Sequence, residues 1–189
     1  MNPLIPPAEI LILAGDIITL RNLEDYNWFF DWISDHFKMT YWIPGNHEYY
    51  HYSLTEKDIS FTEKIRDNII LLNNAAIELP DCVIHFSTLW SKISKQNEMR
   101  VERGVNDFHL VKYYDKSLKA TEFNHLHEVS RKFLEQSIGS FPEATNIIVT
   151  HHVPTRINYP KEFLDSPLNE AFDTELEELI KKLVPKFWI

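Results

Sequence analysis

A chain of 189 residues that is 44% hydrophobic and 13% aromatic suits one folded domain with a sizeable core and leaves no room for a disordered reading. Its net charge of −9 with histidines neutral excludes a whole-chain basic footprint, so a nucleic-acid partner is not expected. One cysteine excludes an internal disulfide and a cysteine metal cluster.

The N-terminal stretch MNPLIPPAEILILAGD has no basic region ahead of its apolar part, and prolines interrupt it. No signal peptide is expected from such a pattern. No apolar run reaches the length of a membrane span, and a cytoplasmic location without a membrane partner is the expectation. Residues 10–14 (ILILA) form a continuous apolar run, as in a strand buried on both faces. Residues 23–37 follow with Trp28, Phe29, Trp32, Ile33 and Phe37 at the three-four spacing of one helix face. Residues 39–43 return to strand, and Pro44 and Gly45 stop it.

Residues 54–67 are polar and helix-prone. The runs NIILLNN, AAIEL and CVIHFSTLW read as successive strands, with turns at Asn73-Asn74 and Pro80-Asp81. Cys82 opens the last of these, and a buried small residue is expected there. Residues 91–120 lack a clean period and read as a long excursion over the surface, the kind of loop that carries substrate contacts. Arg100 and Arg103 within it are weak candidates for phosphate binding. Thr121 is placed to cap a helix ending at Gly139. Residues 146–150 (NIIVT) read as a buried strand, TELEELIKKLV as an amphipathic helix, and PKFWI as the start of a final strand. The fold class is α/β, with mixed-strand sheets and flanking helices, in a single domain over residues 1–189.

Three of the strands end in residues of metal-ligand type. ILILAGD ends at Gly15-Asp16, YWIPGNHE at Asn46, His47 and Glu48, and NIIVTHHVP at His151 and His152. Sites in open α/β sheets lie beyond the carboxyl ends of strands, so three remote segments are positioned to deliver Asp, Asn and His to one place. A lone Gly-Asp is usually a turn, and PGN is ordinary turn chemistry. The His-Glu pair after it has no turn role. Order and strand context together make the set specific.

These residues resemble the motifs of the calcineurin-like metallophosphoesterases: G-D, then G-N-H-[D/E], then a His after a strand, in that order along nearly the whole chain. The resemblance implies a four-layer sandwich and a dinuclear metal centre that hydrolyses phosphate mono- or diesters. It implies that Asp16 bridges two metals and that Asn46 and His151 bind the second, with His152 as the alternative to His151. It implies that His47 meets the phosphate and helps the leaving group, with Glu48 orienting its other ring nitrogen. Carboxylate, amide oxygen and imidazole suit Mn, Fe or Zn. Substrates of that family include phosphorylated small molecules, nucleotides and phosphoproteins.

Two motifs of the family lack a counterpart at the expected place. None of residues 1–14 is the Asp or His of a D-x-H, and PKFWI stops where G-H-x-H would follow. Asp107-Phe108-His109 spells D-x-H after the wrong strand and reads as a chance match or a substrate-side contact. His125-Leu126-His127 lies within a helix, where residues two apart diverge, and reads as surface or packing. The expectation is therefore a partial domain and an incomplete sandwich. It would bind at most one metal, with impaired activity and possible self-association through an exposed strand edge. The alternative is a non-catalytic domain of this fold that binds a partner or a phosphorylated ligand.

Overall fold

The computed structural model describes residues 8–55, 59–163 and 165–189. Strand β1 (Ile10–Leu13) is followed by a 3-10 segment and helix α1 (Asn27–His36). Strands β2 (Met39–Trp42), β3 (Ser53–Leu54), β4 (Phe61–Arg66) and β5 (Ile69–Asn73) come next. The hairpin of β6 (Ala75–Leu79) and β7 (Cys82–Ser87) follows. Helices α2 (Glu98–Gly104) and α3 (Asp107–Leu110) precede the short strands β8 (Lys112–Tyr113) and β9 (Lys116–Ser117). The long helix α4 (Ala120–Gly139), β10 (Asn146–Thr150), α5 (Glu177–Leu183) and β11 (Phe187–Trp188) complete the order.

Two four-stranded sheets face each other, in the orders β1-β2-β5-β4 and β11-β10-β7-β6. In each, three strands run parallel and one outer strand antiparallel. Side chains of a strand alternate between faces, and this sorts the core. Tyr41, Ile43, Leu72, Ile84, Phe86 and Val149 fill the space between the sheets. Trp42, Ile69 and Leu71, on the other face of the first sheet, pack on Phe30 and Ile33 of α1. Ile148, on the outer face of the second, packs on Leu134 and Ile138 of α4 and on flanking residues of α5. The layers are thus helix, sheet, sheet, helix. Among the described residues, no helix is long and apolar enough to cross a membrane.

Several expectations are corrected. The run at 10–14 is an edge strand, not one buried on both faces: Ile10 is 36% exposed and its neighbours are half-buried. The inward face of α1 is Phe30 and Ile33, while Trp28 stands exposed and Trp32 stacks on His36. Aromatic residues surround this short helix, so apolarity alone does not mark its buried side. The helix-prone stretch at 54–67 holds β4, an edge strand paired to β5. An edge strand buries little, and charge there is protective. Residues 56–58 of that stretch lie outside the described residues.

The stretch at 91–120 is not a surface excursion. Trp90, Ile93, Val101, Val105, Phe108, Val111 and Leu118 form a second core with Tyr49 and with Phe123 and Leu126 of α4. Val101 and Phe108 sit on the short helices α2 and α3 and the others on the segments between elements, so no single period runs through them. Thr121 does not cap α4: Lys119 precedes the helix, and the Ala120 amide donates to Glu102 Oε1 at 2.8 Å. The cap comes from a remote side chain. Gly139 is the last helical residue, and Ser140 follows in right-handed geometry. Cys82 is half-buried rather than buried.

Three imidazoles are enclosed by this packing. His85 lies between Ser137 Oγ and Asn146 Oδ1, both at 2.8 Å. His127 Nδ1 donates to the Trp90 carbonyl, and His152 packs against Trp90 and Phe123. Burial pushes His85 and His127 below the ordinary imidazole range and His152 down to about 3. In the unfolded chain each protonates near pH ~6.5. Between that pH and the lower folded value, the unfolded state binds the extra proton, so acid destabilises the fold. Urea denaturation is expected to show stability falling from pH 7 to 5.5. The slope approaches ~1.4 kcal/mol per pH unit for His152, with His85 and His127 adding in the same direction, and His85→Gln is expected to make it shallower.

Candidate active site

The loops after β1, β2 and β10 meet at one end of the sandwich. Gly15 takes φ +93 and Asp16 φ 59, left-handed geometry that a Gly-Asp pair accepts and most residues resist. Gly45 is required by space: a Cβ there would overlap Asp16 Oδ1 and lie 2.7 Å from His151 Nε2. The backbone of the second loop thereby passes close beneath the side chains of the other two.

Glu48 binds these loops together. It is fully buried. Its carboxylate accepts the amides of Asp16 at 2.7 Å, Ile17 at 2.6 Å, Ile18 at 3.4 Å and Gly45 at 2.7 Å. An ionised carboxylate accepts only, and charge-assisted bonds to N–H groups are strong.

Above that clamp, Asp16, Asn46 and His151 converge. His151 Nδ1 lies 2.9 Å from the Ala14 carbonyl, which only accepts, so Nδ1 carries the proton. With no second proton on the ring, the lone pair of Nε2 faces Asn46 Oδ1 at 3.1 Å and Asp16 Oδ1 at 3.4 Å. Asn46 is oriented as well, because its Nδ2 donates to Asp107 Oδ1 at 2.8 Å. Three lone-pair atoms therefore face one small volume and call for a cation or a proton among them. An imidazole nitrogen, an amide oxygen and a carboxylate are suitable donors for Mn, Fe or Zn. The residues present fit a metal ion. Among the described residues no three His, Cys, Asp or Glu gather as a cation site, since the third donor here is an amide.

His47 stands at the mouth. Its side chain is 55% exposed, with Nδ1 3.7 Å from Asp16 Oδ2. Its ring lies against Tyr50 at 4.4 Å, and its amide donates to Asp16 Oδ1 at 3.1 Å.

The sequence matches the calcineurin-like phosphoesterase family over residues 3–179. The chain belongs to that family. Among curated proteins it is similar to uncharacterized protein L509 of Acanthamoeba polyphaga mimivirus, with 29% identity over 195 residues, covering 93% of this chain and 69% of that protein. Among solved structures it is similar to the phosphopantetheinyl hydrolase PptH of Mycobacterium tuberculosis, with a TM-score of 0.61 and 16% identity. That match covers 94% of this chain and 70% of the other. At that identity the likeness shows a shared calcineurin-like phosphoesterase fold and nothing finer.

Of the residues singled out in the sequence, Asp16, Asn46, His47 and His151 come together. Two expectations are corrected. Glu48 does not orient His47; its oxygens are taken up by backbone amides of the two loops. His152 turns away from Asp16 into the second core, with Nδ1 3.3 Å from the Thr88 carbonyl, while His151 turns toward the site. The pair lies in a bend after β10, with the two rings edge to face at 5.2 Å, so spacing alone left both open.

Asp107, read as a chance match or a substrate-side contact, is instead fully buried behind Asn46. Nothing in its spacing announces this, since 61 residues separate the pair. His109 and His125 are exposed and His127 is in the core, so no histidine of either triplet joins the site.

Replacing Glu48 with Gln puts an NH2 group against backbone donors. Glu48→Gln is expected to cost about 2–4 kcal/mol of unfolding free energy, measured by urea denaturation.

Proposed function

We propose that this chain is a metal-dependent phosphoesterase that hydrolyses phosphate mono- or diesters, with one divalent cation held by Asp16, Asn46 and His151. The observation that carries the reading is the convergence of His151 Nε2, Asn46 Oδ1 and Asp16 Oδ1 on one volume, with no donor between them when the ring is neutral. A bound divalent ion supplies charge neutralisation for the phosphoryl oxygens and a water of lowered pKa. Mn is the first cation to test, with Fe and Zn also compatible with the donor set.

The chain's own residues do the rest. Glu48 keeps the loops of Asp16 and Asn46 at a fixed separation, so the site is organised before substrate arrives. His47, exposed at the mouth and braced by Tyr50, meets the ester on its solvent side. Its imidazole donates a proton to the leaving oxygen, a role worth ~10²–10⁴ in rate. The open mouth suits a phosphorylated small molecule, a nucleotide or a phosphorylated side chain of a protein.

A second reading has one observation in its favour: among the described residues only one imidazole nitrogen, one carboxylate oxygen and one amide oxygen converge on the cation volume. A centre with so few ligands fits a domain that binds a phosphorylated ligand without turning it over.

One experiment separates the two. The purified chain is incubated with Mn²⁺, its metal content is measured, and hydrolysis of p-nitrophenyl phosphate and bis-p-nitrophenyl phosphate is followed. About one Mn²⁺ per chain is expected, lost in Asn46→Ala. His47→Ala is expected to keep the metal and lose hydrolysis by roughly 10²-fold or more. Metal and phosphate binding without turnover supports the second reading. A folded chain that takes up no metal refutes the first.

A further inference from the structure

Asp107 is a buried carboxylate whose side-chain hydrogen bonds both go to the loop after β2. It begins α3 but caps nothing with its side chain. Its Oδ1 accepts from Asn46 Nδ2 at 2.8 Å and from Tyr50 Oη at 3.0 Å. Its Oδ2 has no hydrogen-bond partner among the described residues. A buried carboxylate with one oxygen unpartnered is costly, so its place behind Asn46 needs a reason.

The reason lies in the symmetry of an amide. The two ends of an Asn side chain are nearly the same size, and hydrogen bonding alone decides which way it faces. A carboxylate offers acceptors only, so Asn46 must turn its NH2 inward. Its Oδ1 is then left 3.1 Å from His151 Nε2. The reversed amide would set two oxygens against each other at Asp107. It would also point N–H groups at the volume where a cation would sit. The same carboxylate oxygen holds the Tyr50 hydroxyl, and the Tyr50 ring carries the His47 imidazole at 4.4 Å.

We propose that Asp107 is a positioning residue: it selects the amide orientation that makes Asn46 a cation ligand and, through Tyr50, fixes the place of His47. The proposal rests on the reading of Asp16, Asn46 and His151 as the cation site.

The test exchanges the two side chains. In Asp107→Asn the partner amides pair either way round, and the orientation of Asn46 is no longer imposed. In Asn46→Asp two buried carboxylates oppose each other. The double variant restores one carboxylate and one amide in contact, with a carboxylate oxygen free to face the cation. Calorimetric Mn²⁺ titration of the full chain is expected to show each single variant binding about 10–100-fold more weakly. The double variant is expected to recover to within about threefold of the original chain.

Losses that simply add would mean that Asp107 serves the fold and not the ligand, and would overturn the proposal. The melting temperature of the metal-free proteins is recorded alongside. A purely structural role would lower melting temperature and affinity together in all three variants.

Should the original chain take up no Mn²⁺, the cation reading fails on its own account. The orienting role is then read from the metal-free protein by NMR. The Asn46 side-chain NH2 is expected to be protected from solvent exchange in the original chain and unprotected in Asp107→Leu. Equal exchange in the two would overturn the proposal.

Discussion

The site rests on the carboxylate of Glu48. One buried group gathers the amides of Asp16, Ile17 and Gly45, with Ile18 at a longer distance. It thereby ties the end of β1 to the end of β2. Without it, two loops would carry unpaired N–H groups into a buried interface, each at a cost of about 1–3 kcal/mol. The clamp also explains the backbone on either side. Gly15 and Asp16 take left-handed geometry because the chain must turn its amides toward Glu48, and Gly45 keeps the two loops close.

The second constraint is the pairing of polar groups behind the site. Asp107 meets Asn46 and Tyr50 in a fully buried position. Thr88 ties the end of β7 to the same loop, donating its hydroxyl to the Pro44 carbonyl at 2.7 Å while its amide bonds Asn73 Oδ1. Segments far apart in the chain are therefore joined by polar contacts rather than by apolar packing alone. Low-dielectric surroundings strengthen such contacts and penalise any that are left open, so the loop positions are sharply specified. His152 contributes differently: it fills the second core beside Trp90 and Phe123 and so fixes the chain that presents His151.

Membership of the calcineurin-like phosphoesterase family and the fold shared with PptH agree with a phosphoesterase-type function. They leave the ligand set to be argued from this chain. The donor atoms that converge here come from the ends of β1, β2 and β10, one from each, and α3 supplies the support. Strand ends are stiff, and a site assembled from them needs few additional ordering contacts.

The sequence by itself determined the parts whose signal is local. Apolar runs marked β1, β2, β5, β6, β7 and β10, and Gly15-Asp16, Gly45-Asn46-His47 and His151 were legible because each follows a strand directly. The turn at Asn73-Asn74 was legible too, since Asn accepts the left-handed φ of 47 at Asn74. Only the tertiary structure decided what depends on a distant partner. The second core at 91–120 escaped notice because its apolar residues are spread over two short helices and the segments between elements, with no common period. The choice between His151 and His152 turned on which face of the segment meets the β2 loop. The role of Glu48 was misassigned to its neighbour because its true partners, Asp16 and Ile17, lie 32 and 31 residues away. Asp107 could not be recognised at all before the fold set it against Asn46. Side-chain type and spacing along the chain record local conformation; which donor meets which acceptor is settled when packing excludes water and most buried polar groups find a partner.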